Sequence, residues 1–539
     1  MTDNLQQRIR AVAQDYRFED FAHRPSFAEK WGPRTLFAIA LYIAVCFMAL
    51  NLVPNTIWDP SVAHITYVIG ILGIWRYGWW FNHTIRASIY GNVTYPRMRA
   101  RASEIWDGGW RPEQLHFMMT TFREHRDITE RVIRGICDQV REAGVPGTIW
   151  LGSGDLYDEK LIEQHLRLIA SDLDITLRIV RQNQPGKRIA ISLILRAMVR
   201  AGMPDDALVI FMDGDFVIEP GAVRKCLPLF ELYPDLEALT TDEEVICIGP
   251  KWMQRWLTMR FAQRRIAMQS HSMSHRVLTL TGRMSVFRAR HVKSYEFIRL
   301  LEADYLEHWL WGSFRFLSGD DKSTWYYLLK HEARMLYVPD ANGYTIEVIE
   351  GSAFKRMVEN FRRWSGNMLR NGARAIKLGP RKMPFFIWWC LIDQRVAIWT
   401  MLVSPTLCIA ATLLSDSTYL ISYIVYIAVT RLLLSFCLWL YAREVDLNYV
   451  WILYLNQITN AVVKIYALWR LSKQKWANRG NQKAGFSDGG LVEVARNTMA
   501  QYLTTLSAAM LVLGTIIYAR LLETPDWNFI SVFVFGSGS

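Results

Sequence analysis

Long apolar runs flank a polar, alternating middle in this chain. Residues 35–53 and 62–80 are each apolar over about the 20 residues that cross a bilayer. Arg8, Arg10, Arg17, Arg24, Lys30 and Arg34 precede the first run, whereas residues 54–64 carry no Lys or Arg. The positive-inside bias therefore expects residues 1–34, and everything after the second run, on the cytoplasmic side. From 98 to 374 short apolar runs alternate with amphipathic helical stretches. Strands are expected at 115–120, 147–151, 176–180 and 207–212, in a largely parallel sheet with right-handed crossovers. Residues 381–395 are apolar but interrupted by Asp393 and Arg395, which suits an interfacial helix. Two spans are expected within 396–440 and a last one at 499–518. Between them, residues 449–470 carry Asn456, Gln457, Asn460 and Lys464, which suits a second interfacial helix, followed by a basic loop at 471–490.

Composition narrows the class. The chain has 539 residues, 51% hydrophobic and 21% charged, which fits one soluble domain of about 250 residues plus membrane segments. The formal net charge of +12 has two readings: basic flanks of membrane segments, or an anionic substrate or product. Nucleic acid is not expected, because zinc-finger spacing is missing and many basic residues flank apolar runs. The seven cysteines form no CxxC pair, which fits free thiols in a reducing compartment. No cleavable signal peptide is expected in the polar first 30 residues, and Gly536-Ser537-Gly538-Ser539 reads as an appended tail.

The candidate chemistry lies at strand ends. Phe211-Met212-Asp213-Gly214-Asp215 closes an apolar strand with two carboxylates one residue apart. Ligands bind at the carboxyl ends of such strands, and this pair suits a hard divalent cation, Mg2+ or Mn2+, against a diphosphate. Thr121 and Glu124 follow the first strand, and Asp155 follows the second in a Gly-Asp turn that also suits a base or ribose contact. Lys187 and Arg188 open a helix after the third strand, as an anion site or a solvated basic turn. Asp320 and Asp321 offer either a general base or a helix cap. Arg363 and Trp364 offer a phosphate partner and a face for a sugar ring, or a membrane-interface belt.

Together these motifs resemble those of the processive family-2 glycosyltransferases, the cellulose, chitin, hyaluronan and alginate synthases. The resemblance implies an α/β domain of GT-A type inserted between N- and C-terminal transmembrane helices. Asp213 and Asp215 match the metal-binding DxD pair, and Asp321, next to Asp320, matches the base of the GDD/TED motif. Asp155 resembles the nucleoside-contacting acid and Lys187 the basic turn. Thr281-Gly282-Arg283 with Phe287-Arg288 resembles the acceptor segment, assigning Gly282 and Arg288 to the polymer. Arg363 and Trp364 match the end of QxxRW, with Asn360 where Gln is usual. Lys475-Trp476-Ala477-Asn478-Arg479 is similar to the WGTR-like gating loop, which assigns Trp476 and Arg479 to the nucleotide.

Residues 71–77 and the layout are most similar to the alginate, or mannuronan, synthase subunit. That similarity implies a GDP-mannuronic acid donor, a β-1,4 polyanionic product and export across a bacterial inner membrane toward periplasmic and outer-membrane proteins. No RxxxR with a following D/NxSxxG appears after the last basic loop, so a separate PilZ-type cyclic-di-GMP-binding membrane partner is implied. Arg431 lies in the middle of an expected span and Arg76 near the end of another. A charge at the bilayer centre costs about 2.5–3.5 kcal/mol, so both are channel candidates for uronate carboxylates. Arg76 also suits snorkelling to the interface, and Arg431 an internal ion pair. A UDP-sugar polymerase shares every motif. A polyprenyl-phosphate transferase or a non-enzymatic scaffold shares fewer.

Overall fold

Apolar helices pack around a mixed α/β domain in the computed structural model. It describes residues 7–12, 27–53, 55, 63–183, 186–476, 482–484, 490–518 and 521. Two helices lead in, α1 (Pro33–Leu50) and α2 (Ala63–Ile89). Helix α1 starts at a proline, whose fixed φ and missing N–H suit a first turn.

The domain then runs β1 (Leu115–Thr120), α3 (Arg126–Ala143), β2 (Gly147–Ser153), α4 (Leu156–Ile169), β3 (Ile175–Arg181), α5 (Lys187–Arg200) and β4 (Leu208–Asp213). It continues through β5 (Val217–Ile218), β6 (Leu236–Thr241), β7 (Glu244–Ile248), α6 (Lys251–Ser272) and β8 (Met284–Arg288). The hairpin β9 (Tyr305–His308) and β10 (Gly312–Arg315) precedes α7 (Asp320–Lys330), β11 (Arg334–Val338), β12 (Gly343–Val348) and α8 (Ala353–Leu378).

The main sheet has the order β11-β6-β8-β4-β1-β2-β3. Strands β4, β1, β2 and β3 are parallel, as the alternation expects. Strand β8 runs antiparallel to both β4 and β6, so the sheet is mixed rather than uniformly parallel. Phe117, Ile149, Ile210 and Val286 on four adjacent strands are wholly buried. Each such side chain contributes about 1.5–3 kcal/mol, which holds the strand ends in fixed register. A smaller sheet, β5-β12-β7, stands beside it.

The chain leaves through α9 (Phe385–Leu414), α10 (Thr418–Tyr441) and α11 (Tyr449–Leu468), then the short pair β13 (Gln474–Trp476) and β14 (Gln482–Ala484), then α12 (Leu491–Tyr518). Residues 381–395 and 396–414 were expected as two elements, yet 385–414 form one continuous helix. Among the described residues, α1, α9, α10 and α12 are long and apolar enough to cross a membrane. Helix α2 falls outside that set, and its Arg76, Tyr77 and His83 line an internal cavity. The polar stripe of α11 faces protein: Asn456 accepts from the Trp256 indole at 2.9 Å, and Ser365 is 3.1 Å from Asn460.

Candidate active site

The ends of β1 and β4 meet α5 and α7 around Lys187. Its ammonium lies 2.7 Å from Asp213 Oδ1 and 2.9 Å from Asp320 Oδ2. Helix α5 begins at Gly186, whose φ of 145° excludes a side chain and leaves no side-chain cap. Between Asp213, which ends β4, and Asp215 beyond it, Gly214 donates to the Thr120 carbonyl at 3.0 Å. A Cβ there would lie 2.8 Å from that oxygen, so only glycine lets the turn close onto β1. Gly282 presses on the same centre: a Cβ would stand 3.2 Å from Lys187 Nζ and 3.7 Å from Asp320 Oδ2.

The two acids at the start of α7 are pushed apart. Burial opposes ionisation of Asp320, but the Lys187 ammonium outweighs it and holds that carboxyl below its ordinary range. Asp321 is raised by burial and by the charge of Asp320. Gly319 occupies the cap position with φ 86°, so neither acid serves as the cap. Burial also pushes the neighbouring Lys322 down to about 8. Arg363 on α8 lies in the field of Asp321 and Glu347. Trp364 stacks on Trp256 with ring centroids 6.0 Å apart, and the Arg260 guanidinium is 5.8 Å from its ring. Asn360 is buried with its amide nitrogen unpartnered.

The loop after β1 is tied down by Asp158, which sequence reasoning passed over. It accepts from Arg123 N at 2.7 Å and Thr121 Oγ1 at 3.2 Å, holding Arg123 at φ 54°. Asp155, by contrast, is the N-cap of α4, accepting from Tyr157 N at 2.9 Å, with Arg123 3.2 Å away. Glu124 lies half-buried in the loop after β1. The sequence signal for Asp158 was its place one turn into the helix that Asp155 caps.

Two expected site residues lie elsewhere. Arg188 turns away from Lys187, because successive helical residues point about 100° apart. It is buried and donates to the carbonyls of Leu300 and Leu301 and to Ser323. Arg288 sits opposite Leu208, at the far end of β4 from Asp213, and donates to the carbonyls of Phe230, Leu236 and Tyr233. Both are engaged by carbonyls of the chain itself. Arg283, which stands where the motif has proline, ion-pairs with Glu243 at 3.3 Å. Glu243 also takes the Thr281 hydroxyl, at 3.1 Å, so this pair fixes the Gly282 loop. Trp476 ends β13, and Arg479 lies outside the described residues.

The two channel candidates share one cavity of about 240 Å3 among α2, α6, α9, α10 and α11. Arg76 does not snorkel: it makes a two-pronged ion pair with Asp393 at 2.8–2.9 Å. Arg431 donates to the Tyr77 hydroxyl at 2.7 Å and to Thr430 at 3.2 Å. Among the described residues it has no carboxylate partner, and neither do Arg260, Arg395 or Lys464. Lys464 is in the field of Arg260, Arg395 and Arg76, offset in part by Asp393.

Residues 112–367 match the model of the family described as glycosyltransferase like family 2. The chain is 36% identical over 483 residues to glycosyltransferase alg8 of Pseudomonas syringae pv. tomato, covering 89% of this chain and 96% of that protein. It is 36% identical over 443 residues to glycosyltransferase alg8 of Azotobacter vinelandii, covering 81% and 89%. Among solved structures, the mannosyltransferase PcManGT from Pyrobaculum calidifontis in complex with GDP-Man and Mn2+ is similar at 15% identity and a TM-score of 0.44, over 74% of this chain and 99% of that one.

Proposed function

The chain belongs to the Alg8 glycosyltransferases, and from that premise we propose that it polymerises GDP-mannuronic acid into β-1,4 polymannuronate and moves the product across the bacterial inner membrane. The observation that carries the uronate over a neutral sugar is a set of cations with no carboxylate in ion-pair contact among the described residues, Arg260, Arg395 and Arg431, on the helices α6, α9 and α10 that also line the cavity. Unpaired charge in such a place is costly, and a carboxylated polymer offsets it at every residue. A neutral glucan would leave that cost standing.

The reaction inverts the donor's anomeric carbon. Asp321 takes the proton of the acceptor 4-hydroxyl as that oxygen attacks, and GDP leaves from the opposite face. Lys187, bound to Asp213 and Asp320, is placed to stabilise charge on the departing diphosphate. Asp213 and Asp215 are hard oxygen donors at a strand end and fit a divalent cation, Mg2+ or Mn2+, which supplies charge neutralisation of the diphosphate when bound. Asp158 and Thr121 hold the loop that faces the nucleotide. Trp364 carries the acceptor sugar at the mouth of the channel. A separate PilZ-type cyclic-di-GMP-binding membrane partner and downstream export proteins complete the reading.

The test is donor turnover by the detergent-purified chain, with and without that partner, offering GDP-mannuronic acid and a set of UDP-sugars. GDP release with polymer supports the reading. UDP release with a neutral polymer removes it and favours a hyaluronan- or cellulose-like synthase.

Asp321 acts in its ionised form, so activity falls as pH drops through its pKa. That pKa is raised by burial and by Asp320, so the acid limb of the rate profile is expected above the usual aspartate value of about 3.9. Asp320→Asn removes one of the causes and is expected to move the limb to lower pH, whatever it does to the maximum rate. A limb that moves upward or stays fixed assigns it to another group.

Charge-assisted hydrogen bonds contribute about 1.5–3 kcal/mol, or roughly ten- to a hundredfold. Arg431→Gln is therefore expected to slow polymer synthesis by roughly that factor with GDP-mannuronate affinity unchanged. Equal rates of polymer formation in variant and wild type would take Arg431 out of the polymer path.

A further inference from the structure

A second cluster of chemistry-bearing side chains stands apart from the acids at the end of β4. His83 on α2, His271 in the last turn of α6 and Cys390 on α9 each offer one ligand atom, and these atoms lie within 4.8 Å of one another. Cys390 Sγ is 3.9 Å from His83 Nε2. The two imidazole rings meet edge-on with centroids 5.5 Å apart. Trp79 and Phe386 pack on His83, at 5.0 and 5.4 Å between ring centroids.

The polar atoms here are unspent. His83 faces Cys390 with Nε2, while the Nδ1 atom of His271 is buried with no hydrogen-bond partner and His271 is only 4% exposed. A buried imidazole nitrogen without a partner costs free energy unless something binds it. Burial holds His271 well below its ordinary pKa, so its ring is neutral and has a lone pair to donate. The neighbouring Arg86 is already engaged: it donates to the Ser270 carbonyl and the Ser274 hydroxyl and lies 3.8 Å over Phe386.

We infer that His83, His271 and Cys390 form a transition-metal site for Zn2+, with its fourth position open to the cavity that also holds Arg431. Two imidazoles and one thiolate are a borderline-soft set, unsuited to Mg2+ or Mn2+ and unlike the oxygen donors Asp213 and Asp215. In an undistorted tetrahedral site a thiolate and an imidazole nitrogen stand about 3.5 Å apart, so the 3.9 Å separation needs only a small closure. Binding is balanced by one proton: the Cys390 thiol releases H+ to solvent as the sulfur takes the metal. The consequence is mechanical. The metal ties α6 of the catalytic domain to α2 and α9 at the membrane side, next to the cavity proposed to conduct polymer.

The test uses the full-length, tag-free chain in detergent, stripped of metal and titrated with Co2+. A thiolate-to-cobalt charge-transfer band in the near ultraviolet is expected to saturate at one equivalent and to be bleached by Zn2+. The oxygen donors at Asp213 cannot produce that band, so it reports this site whatever the donor sugar proves to be. Cys390→Ser is expected to lose the band. His83→Gln is expected to weaken Co2+ binding at least tenfold. Zn2+ is expected to raise the Tm of the wild type and of neither variant. Wild-type protein that shows only the weak spectrum of oxygen-ligated cobalt overturns the assignment without any variant. So does an undiminished band in Cys390→Ser.

Discussion

Asp321→Asn is expected to stop polymer synthesis while leaving donor binding intact. A positioned general base contributes roughly 10²–10⁴-fold to a rate, and asparagine keeps the shape while losing the lone-pair basicity. The variant should not unfold. Burial and Asp320 raise the Asp321 pKa, so its ionised form weakens the folded state at neutral pH, and a neutral amide removes that penalty. Tm is therefore expected to stay level or rise. Calorimetric titration with GDP-mannuronate should return the wild-type affinity while turnover is near background. If donor affinity falls together with turnover, Asp321 belongs to the donor site and is not simply the base.

Asp213→Asn is expected to act on the opposite term. Asp213 Oδ1 is 2.7 Å from Lys187, in a turn that Gly214 closes against β1. Removing its charge takes one carboxylate from Lys187, which keeps Asp320, and on the proposed reading removes one hard donor for the divalent cation. Metal and charge-assisted contacts are each worth several kcal/mol in such a site, so GDP-mannuronate affinity in saturating Mn2+ is expected to fall roughly a hundredfold or more. The loss should persist at any metal concentration. Wild-type donor affinity with a reduced rate would place Asp213 on the acceptor side instead. The pair of variants therefore separates base from donor clamp: one loses rate at constant affinity, the other loses affinity first.

Particular residues show how far local pattern carried. Strands β1, β2 and β4 begin and end close to where their apolar runs do, because a strand buried on both faces needs an uninterrupted run of side chains, whereas β3 at the sheet edge alternates with exposed positions. Asp213, Lys187 and Asp320 were each named from strand and helix ends, and the fold brings all three together. Arg188 was named from its place at a helix start and Arg288 from motif position. Helical rotation turns the first toward carbonyls, and the antiparallel direction of β8 carries the second to the wrong end of the sheet. Asp158 was missed because its role depends on the loop after another strand.

Alone, the order of residues along the chain determined an α/β domain, the apolar helices on either side and the acids at the strand ends. These are local properties: periodicity, run length and turn chemistry act between neighbours a few residues apart. Only the tertiary structure decided which charges are spent. Arg76 meets Asp393 across 317 positions of sequence, and no local pattern distinguishes it from Arg431, which meets no acid among the described residues. His83, His271 and Cys390 likewise converge from three helices. Pairing between distant residues is set by how helices pack, and that packing determines whether a buried charge is neutralised or left to bind something else.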